Sequence, residues 1–187
     1  SRKVEATLRQ VSTPHYIFIS SLWASQLVEK SRLFSLEEES YVRKKIEAEG
    51  TLENWARDGG KATILRFPII LGPNDHSGRL DYLARRIFEN RPITIYKSNP
   101  NELAIIFVED AVNLLMRATS STIHDVSFQV YNCSGSAIRY QIFLNLIGNA
   151  LNVNTKLIFA SHGELLNSFP KFYQVDPFWR ERPYQIS

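Results

Sequence analysis

Apolar and polar positions follow two different periods along the chain, and these divide it into predicted helices and strands. Apolar side chains at helical spacing, with capping residues before them, predict helices over residues 2–11, 35–57, 79–89, 109–118 and 138–150. Short β-rich apolar runs predict strands at 15–20, 62–71, 92–96, 104–108, 127–132 and 155–159. Gly59-Gly60 ends the long second helix, and Gly72-Pro73-Asn74-Asp75 turns the chain sharply after the second strand.

The order of these elements indicates the fold class. Strands separated by helices of about ten to twenty residues are typical of a mainly parallel sheet with helices packed on its faces. The sequence therefore predicts an α/β protein. Repeats, low-complexity tracts and linker-like stretches are lacking, so composition places no domain boundary and residues 1–187 are taken as a single unit.

Composition narrows the class of protein further. The chain has 187 residues, 44% hydrophobic and 12% aromatic, which is enough for one domain with a sizeable core. A net charge of +3 gives no electrostatic reason to expect nucleic acid or a membrane surface as partner. The single cysteine and the unpaired histidines predict no disulfide and no metal site. Without a signal-like start or a long apolar run, the protein is expected to be soluble and cytoplasmic.

A tyrosine and a lysine on the long helix are the first candidates for chemistry. Tyr41 and Lys45 are four residues apart, so their side chains emerge on one helix face, one turn apart. An ammonium beside a phenol favours the phenolate and lowers the tyrosine pKa from about 10 toward neutrality. Tyr41 would then exchange protons with a substrate hydroxyl or carbonyl, and Lys45 would be free to bind a cofactor ribose. The alternative is an ordinary pair of exposed helical side chains.

A serine at the end of the first strand is the second candidate. Ser20 and Ser21 close this strand, and open α/β sheets bind their ligands at the carboxyl ends of strands. The Ser21 hydroxyl would hold a substrate oxygen beside Tyr41. The alternative is a serine that serves only the turn after the strand.

Five blocks in a fixed order resemble the NAD(P)-dependent epimerase/dehydratase family, the extended and atypical short-chain dehydrogenase/reductases. They are Tyr-Ile-Phe-Ile-Ser-Ser at 16–21, Tyr-Val-Arg-Lys-Lys-Ile-Glu-Ala-Glu at 41–49, Thr-Ile-Leu-Arg-Phe-Pro-Ile-Ile-Leu-Gly-Pro-Asn-Asp at 63–75, Phe-Val-Glu-Asp-Ala-Val at 107–112 and Val-Tyr-Asn-Cys-Ser-Gly at 130–135. The resemblance covers about residues 5–150. It implies part of a Rossmann-like core at 1–75 and 105–132, and a small substrate-binding lobe at 76–104 and 133–187.

The resemblance also implies a site and a cofactor. Tyr41, Lys45 and Ser21 match the family's catalytic residues, and NAD or NADP is the implied cofactor. Cofactor contacts fall on Tyr41 and Lys45 and on the loop residues Phe67, Pro68 and Ile70. The substrate, an unidentified small molecule, is expected to contact Ser21, Leu22 and Asn132. Family members often dimerise, which here predicts a homodimer through helices 38–57 and 79–90.

Departures from the family pattern qualify these expectations. The chain lacks the aromatic and arginine positions of nucleotide-sugar epimerases and the acidic pair of sugar dehydratases, which favours a small or unusual substrate. No glycine precedes Gly50, so the glycine-rich turn that grips the cofactor pyrophosphate is missing. The chain is therefore interpreted as the C-terminal portion of an oxidoreductase, unable to bind cofactor tightly alone. A non-catalytic binding or regulatory protein on the same fold is the alternative.

Overall fold

The fold is described from a computed structural model, which describes residues 2–10, 13, 15–25, 36–75, 77–96, 102–120, 126–133 and 137–160. The helices are α1 (Arg2–Gln10), α2 (Leu36–Arg57), α3 (Arg79–Phe88), α4 (Val108–Ser120) and α5 (Tyr140–Ala150). The strands are β1 (Tyr16–Ser21), β2 (Ala62–Phe67), β3 (Ile69–Leu71), β4 (Ile93–Tyr96), β5 (Glu102–Leu103), β6 (Ile105–Phe107), β7 (Phe128–Asn132), β8 (Ile138–Arg139) and β9 (Leu157–Ala160). The helix starts predicted at Ser35 and near Ser136 lie outside the described residues.

The chain forms two compact units. The first comprises Ser1–Ile70 and Ile106–Ser134, and the second Leu71–Ile105 and Gly135–Ser187. The predicted assignment of core and substrate-binding lobe, with its boundaries near 75, 105 and 132, stays a prediction.

A parallel three-stranded sheet organises the first unit. β2 lies at its centre between β1 and β7, and both pairings are parallel. The register places Ser21 opposite Phe67 and Arg66 opposite Asn132. The carboxyl ends of the three strands therefore meet at one edge of the sheet. This arrangement confirms the predicted α/β class with parallel strands and flanking helices.

Helix α2 packs on this sheet through its apolar stripe. Ala48, Leu52 and Ala56 recur at intervals of four and lie in one buried cluster with Ile64 of β2. The helix ends in a Schellman motif, because the Gly60 N–H donates to the Trp55 carbonyl and Gly59 takes a φ of +100°. The predicted stop at Gly59-Gly60 is confirmed, and the stripe fixes which face of α2 is left for other contacts.

The second unit has its own core. Helices α3 and α5 pack together, and β4 pairs in parallel with β9. Ile87, Ile93 and Leu144 are almost fully buried there, each 2% exposed or less. The helices predicted at 79–89 and 138–150 therefore both contribute buried side chains to this core, together with strand residues of β4 and β5.

Three predicted boundaries were wrong for local reasons. Residues 62–71 form two strands because Pro68 lies between β2 and β3 and has no N–H to give to a ladder. The strand predicted at 104–108 is the shorter β6, Ile105–Phe107, because α4 already begins at Val108. Helix α5 begins at Tyr140 rather than at 138, because Ile138 and Arg139 pair antiparallel with β5. In the part of the chain that the structure describes, none of the helices has the length and apolar character needed to cross a bilayer.

Candidate functional site

One face of α2 presents three polar side chains to the carboxyl-terminal half of β1. Tyr41, Lys45 and Glu49 follow one another at intervals of four residues, so they form a stripe along the helix. Buried residues on either side of this stripe, including Val42 and Ala48, pack the helix against the rest of the unit. Packing of the apolar residues therefore determines where the three polar groups lie.

Lys45 lies between two aromatic rings and the backbone of β1. Its Nζ donates a hydrogen bond of 2.9 Å to the carbonyl oxygen of Ile19. The same ammonium lies 5.0 Å from the ring centroid of Phe18 and 5.7 Å from that of Tyr41, within the range of cation–π attraction. Burial lowers the pKa of Lys45 below its usual value, and the negative charge of Glu49 opposes this by raising it. The structure thus brings the predicted pair together, with the ammonium beside the phenol ring.

The Tyr41 ring also contacts the turn that follows β1. Its centroid lies 6.4 Å from that of Trp23, and the two rings are nearly perpendicular at 87°. Edge-to-face contacts of this kind are favourable for aromatic quadrupoles. Tyr41 keeps 46% of its surface exposed, so its ring is held on one side by Trp23 and Lys45 and remains accessible. Trp23 was not among the residues predicted from the sequence.

Ser21 and Leu22 lie where β1 turns into a short 3-10 helix, Leu22–Ser25. The Ser21 Oγ accepts a hydrogen bond of 3.3 Å from the backbone N–H of Trp23, so this hydroxyl helps to form the turn. Its second lone pair and its proton remain for another polar group. Leu22 is only 6% exposed, so its side chain is buried.

The predicted cofactor and substrate residues of the other strands lie at the same edge of the sheet as Ser21. Phe67 ends β2 with its side chain 4% exposed, whereas Ile70 of β3 is 37% exposed. Pro68 lies between these strands and is half-buried. Asn132 ends β7, and its side chain is exposed. Open parallel sheets bind ligands outside the carboxyl ends of their strands, so these positions suit a binding edge.

A buried polar cluster lies one helical turn beyond Lys45, and sequence reasoning missed it. Ser20 Oγ donates to Glu49 Oε1 at 2.5 Å. Arg66 donates from Nε to Glu49 Oε1 at 3.1 Å and from Nη2 to Glu49 Oε2 at 2.6 Å. The Glu49 side chain is 8% exposed and that of Arg66 21%. The regular spacing of Tyr41, Lys45 and Glu49 was the signal that could have singled out the glutamate.

Metal chemistry finds no support among the residues described. Groups of three or more histidine, cysteine, aspartate or glutamate side chains that could hold a metal ion do not occur in those ranges. The cysteine, Cys133, is buried, and burial raises its pKa to about 11. Its thiol is therefore neutral at ordinary pH and unsuited to act as a nucleophile.

The parallel sheet, its flanking helices and the side chains at its carboxyl edge define a Rossmann-like α/β protein. Residues 4–134 match the model of the NAD dependent epimerase/dehydratase family. The chain therefore belongs to that family, and the family resemblance found in the sequence is confirmed. A comparison with curated proteins gives no match.

Solved structures with a similar fold include two UDP-sugar epimerases and a protein complexed with NADPH. UDP-glucose 4-epimerase from Thermus thermophilus, in complex with NAD, is 19% identical with a TM-score of 0.60, over 84% of this chain and 54% of that one. UDP-glucuronic acid 4-epimerase from Bacillus cereus, in complex with NAD, is 17% identical with a TM-score of 0.68, over 86% and 53%. RMD from Pseudomonas aeruginosa, complexed with NADPH, is 16% identical with a TM-score of 0.62, over 92% and 67%. The chain spans about half the length of the first two.

Proposed function

We propose that this chain is the C-terminal portion of an NAD(P)-dependent oxidoreductase of the epimerase type, acting on a hydroxyl or carbonyl substrate through Ser21, Tyr41 and Lys45. The observation that carries the proposal is the Lys45 ammonium 5.7 Å from the centroid of the Tyr41 ring. Both residues lie on a helix packed against the strand that ends in Ser21. The membership in the family supports the same reaction class.

The three side chains have separate roles in this proposal. The positive charge of Lys45 favours the phenolate of Tyr41, so that Tyr41 accepts the proton of a substrate hydroxyl and returns it to a carbonyl oxygen. Ser21 donates a hydrogen bond to that oxygen while its lone pair accepts the Trp23 N–H. Trp23 restrains the Tyr41 ring through an edge-to-face contact. The residues thus hold and move one proton, and a bound nicotinamide supplies the hydride acceptor and donor.

The chemistry of the donor set fits one half of a dinucleotide. The Lys45 ammonium has three N–H donors, of which the Ile19 carbonyl takes one, so donors remain for ribose hydroxyl oxygens. The exposed Ile70, two residues after Pro68, offers an apolar surface and backbone groups to a nicotinamide ring. The first glycine in the sequence is Gly50, inside α2, so the described helices supply no glycine-rich turn for a pyrophosphate. We therefore expect weak binding, confined to the nicotinamide riboside end.

Binding of half-ligands tests this proposal directly. The chain, labelled with ¹⁵N, is titrated with nicotinamide mononucleotide and separately with AMP, and amide shifts are followed by NMR. Nicotinamide mononucleotide should shift the amides of Tyr41, Lys45 and Ile70, and AMP should leave them in place. Equal shifts with both nucleotides, or none with either, would overturn the cofactor half of the proposal and favour a non-catalytic role.

The catalytic half is tested on the phenol itself. The pKa of Tyr41 is measured by ¹³C NMR of ring-labelled tyrosine, with Tyr41→Phe for assignment. Lys45→Met should raise the pKa of Tyr41, since it removes the neighbouring cation. Lys44→Met, an exposed lysine one position earlier, is the matched control and should change it little. An unchanged titration in Lys45→Met would remove Lys45 from its proposed role.

A further inference from the structure

The buried cluster of Ser20, Glu49 and Arg66 joins three elements of the first unit. Glu49 comes from α2, Ser20 from β1 and Arg66 from β2. Every oxygen of the carboxylate accepts at least one hydrogen bond, and Arg66 binds it with two nitrogen atoms. Bidentate arginine–carboxylate pairs fix geometry as well as supply attraction. The cluster is therefore a rigid junction between the helix and the two strands.

The junction lies next to the contact that holds Lys45. Lys45 and Glu49 are one helical turn apart on α2, and they bind consecutive residues of β1. Lys45 reaches the Ile19 carbonyl, and Glu49 reaches the Ser20 hydroxyl. Sliding α2 by one turn along β1 would break both bonds at once. The position of α2, and with it the position of the Lys45 ammonium, is thus determined at two adjacent points just before Ser21.

The cluster also sets the charge that Lys45 meets. On α2 the Lys45 ammonium meets the Tyr41 ring and the negative charge of Glu49, and Arg66 of β2 is joined to this group through its ion pair with Glu49. β1 contributes only neutral groups, namely the Ile19 carbonyl, the Phe18 ring and the Ser20 hydroxyl. Because Arg66 is paired with Glu49, the positive charge of Arg66 and the negative charge of Glu49 offset each other in their effect on Lys45. Loss of either partner would expose Lys45 to the uncompensated charge of the other.

We propose that Ser20, Glu49 and Arg66 are positioning residues of the Tyr41–Lys45 site, holding α2 in register on β1 and balancing the charge beside the Lys45 ammonium. This inference rests on the proposed function for its purpose, because it assigns the cluster to that site. The hydrogen bonds and charges on which the inference depends all lie within this chain. Removing either charge shifts the pKa of Lys45 by direct electrostatic interaction whatever the role of the pair, so the sign of the shift tests the charge balance and not the register of α2.

The test is the titration of Lys45, followed through its ¹³Cε shift and assigned with Lys45→Arg. Glu49→Gln leaves Arg66 unbalanced and should lower the pKa of Lys45 by about 1 unit. Arg66→Met leaves Glu49 unbalanced and should raise it. Ser20→Ala removes a hydrogen bond and no charge, and should leave the titration within about 0.3 units of the wild type. Glu53→Gln, one turn further along α2 and paired with exposed Arg57, is the matched control and should have no effect.

Opposite shifts in the two charge variants support the charge-balancing part of the proposal. Shifts of the same sign, or a shift in Glu49→Gln no larger than in Glu53→Gln, would overturn that part. Displaced amide shifts of Ile19 and Lys45 in both variants support the register part, which amide shifts left at their wild-type positions would overturn. Far-UV circular dichroism identifies variants that do not fold, and a single folded charge variant still decides by the sign of its shift. Neither cofactor nor substrate enters this titration. The positioning role can therefore fail while nicotinamide mononucleotide still binds, and the proposed function can fail while the titrations behave as expected.

Discussion

The end of α5 is packed so closely that adding one methyl group at Gly148 should destabilise the second unit. A Cβ built there would lie 2.3 Å from Thr155 Oγ1 and 2.7 Å from the carbonyl oxygen of Val153. Both are held in place, because the Thr155 hydroxyl donates to the Leu144 carbonyl and the Val153 N–H donates to the Gly148 carbonyl. The second bond belongs to the Schellman motif that ends the helix.

Two opposing magnitudes decide the outcome of Gly148→Ala. Alanine in place of glycine within a helix stabilises by about 1 kcal/mol when nothing else changes. Overpacking at a site that cannot relax costs about 1–3 kcal/mol, and the cost here should lie in the upper part of that range, because one of the two obstacles is backbone, which cannot rotate away. We expect a net loss of about 1–2 kcal/mol, or a fall in Tm of about 3–6 °C for a chain of this size.

The assay is urea unfolding followed by far-UV circular dichroism, with Gly50→Ala as the matched control. Gly50 lies inside α2, and a Cβ there would meet nothing within 4 Å, so this variant should gain stability. Thr155→Ala removes the hydroxyl obstacle but leaves Val153, so Gly148→Ala should still destabilise in that background. If Gly148→Ala stabilises the chain as Gly50→Ala does, the close packing described at the C-terminal end of α5 is refuted.

Three further predictions concern other parts of the molecule. Asn152 has a φ of +55° at the end of the same motif, so Asn152→Val should cost about 1–2 kcal/mol in urea unfolding, while Asn152→Gly should be nearly neutral. Burial raises the pKa of Cys133 to about 11, so a disulfide reagent at pH 8 should label the native thiol far more slowly than the urea-unfolded one; equal rates would contradict this burial. The predicted homodimer through helices 38–57 and 79–90 should have twice the chain mass of 21.5 kDa in sedimentation equilibrium. A measured mass of 21.5 kDa would exclude the dimer.

Local patterns were sufficient to predict the helices and strands of the first unit. The end of α2 follows from Gly59-Gly60, since glycine supplies the φ of +100° that the terminus requires. The breaks in the strands were harder to predict. Pro68 could have been recognised as a strand boundary from its missing N–H. The extended conformation of Ile138 and Arg139 could not, because it depends on pairing with β5, more than thirty residues earlier.

The candidate site was likewise predictable from the sequence only in part. The Tyr41–Lys45 pair is a matter of helical spacing, so the sequence alone could predict that the two groups share a face. The contacts of Trp23 with Tyr41 and of Lys45 with Ile19 join residues 18 and 26 positions apart, and they depend on how α2 docks on β1. Glu49 had readable spacing, but its partners are brought to it by the parallel register of β1 and β2.

Two glutamates of α2 that pair with arginines show why distance alone does not measure what a salt bridge contributes to stability. Glu53 with Arg57 and Glu49 with Arg66 both close to 2.6 Å. The first pair is exposed, with side chains 42% and 68% accessible, and such pairs contribute about 0–1 kcal/mol. The second is largely buried, so its attraction is offset by the cost of removing two charges from water, and an apolar pair of similar size is often as stable.

That comparison separates the stability of the buried pair from its proposed role. Glu49→Gln alone should destabilise by about 3–5 kcal/mol, because it leaves a buried cation unpaired, whereas Glu53→Gln should cost less than about 1 kcal/mol. The double variant Glu49→Met with Arg66→Met removes both charges and should recover most of the loss in urea unfolding. The amide shifts of Tyr41 and Lys45 then report whether α2 keeps its register on β1. If the double variant recovers stability but these shifts change, the pair positions the site without adding to the stability of the fold. A double variant as unstable as Glu49→Gln would instead make the pair a main support of the fold.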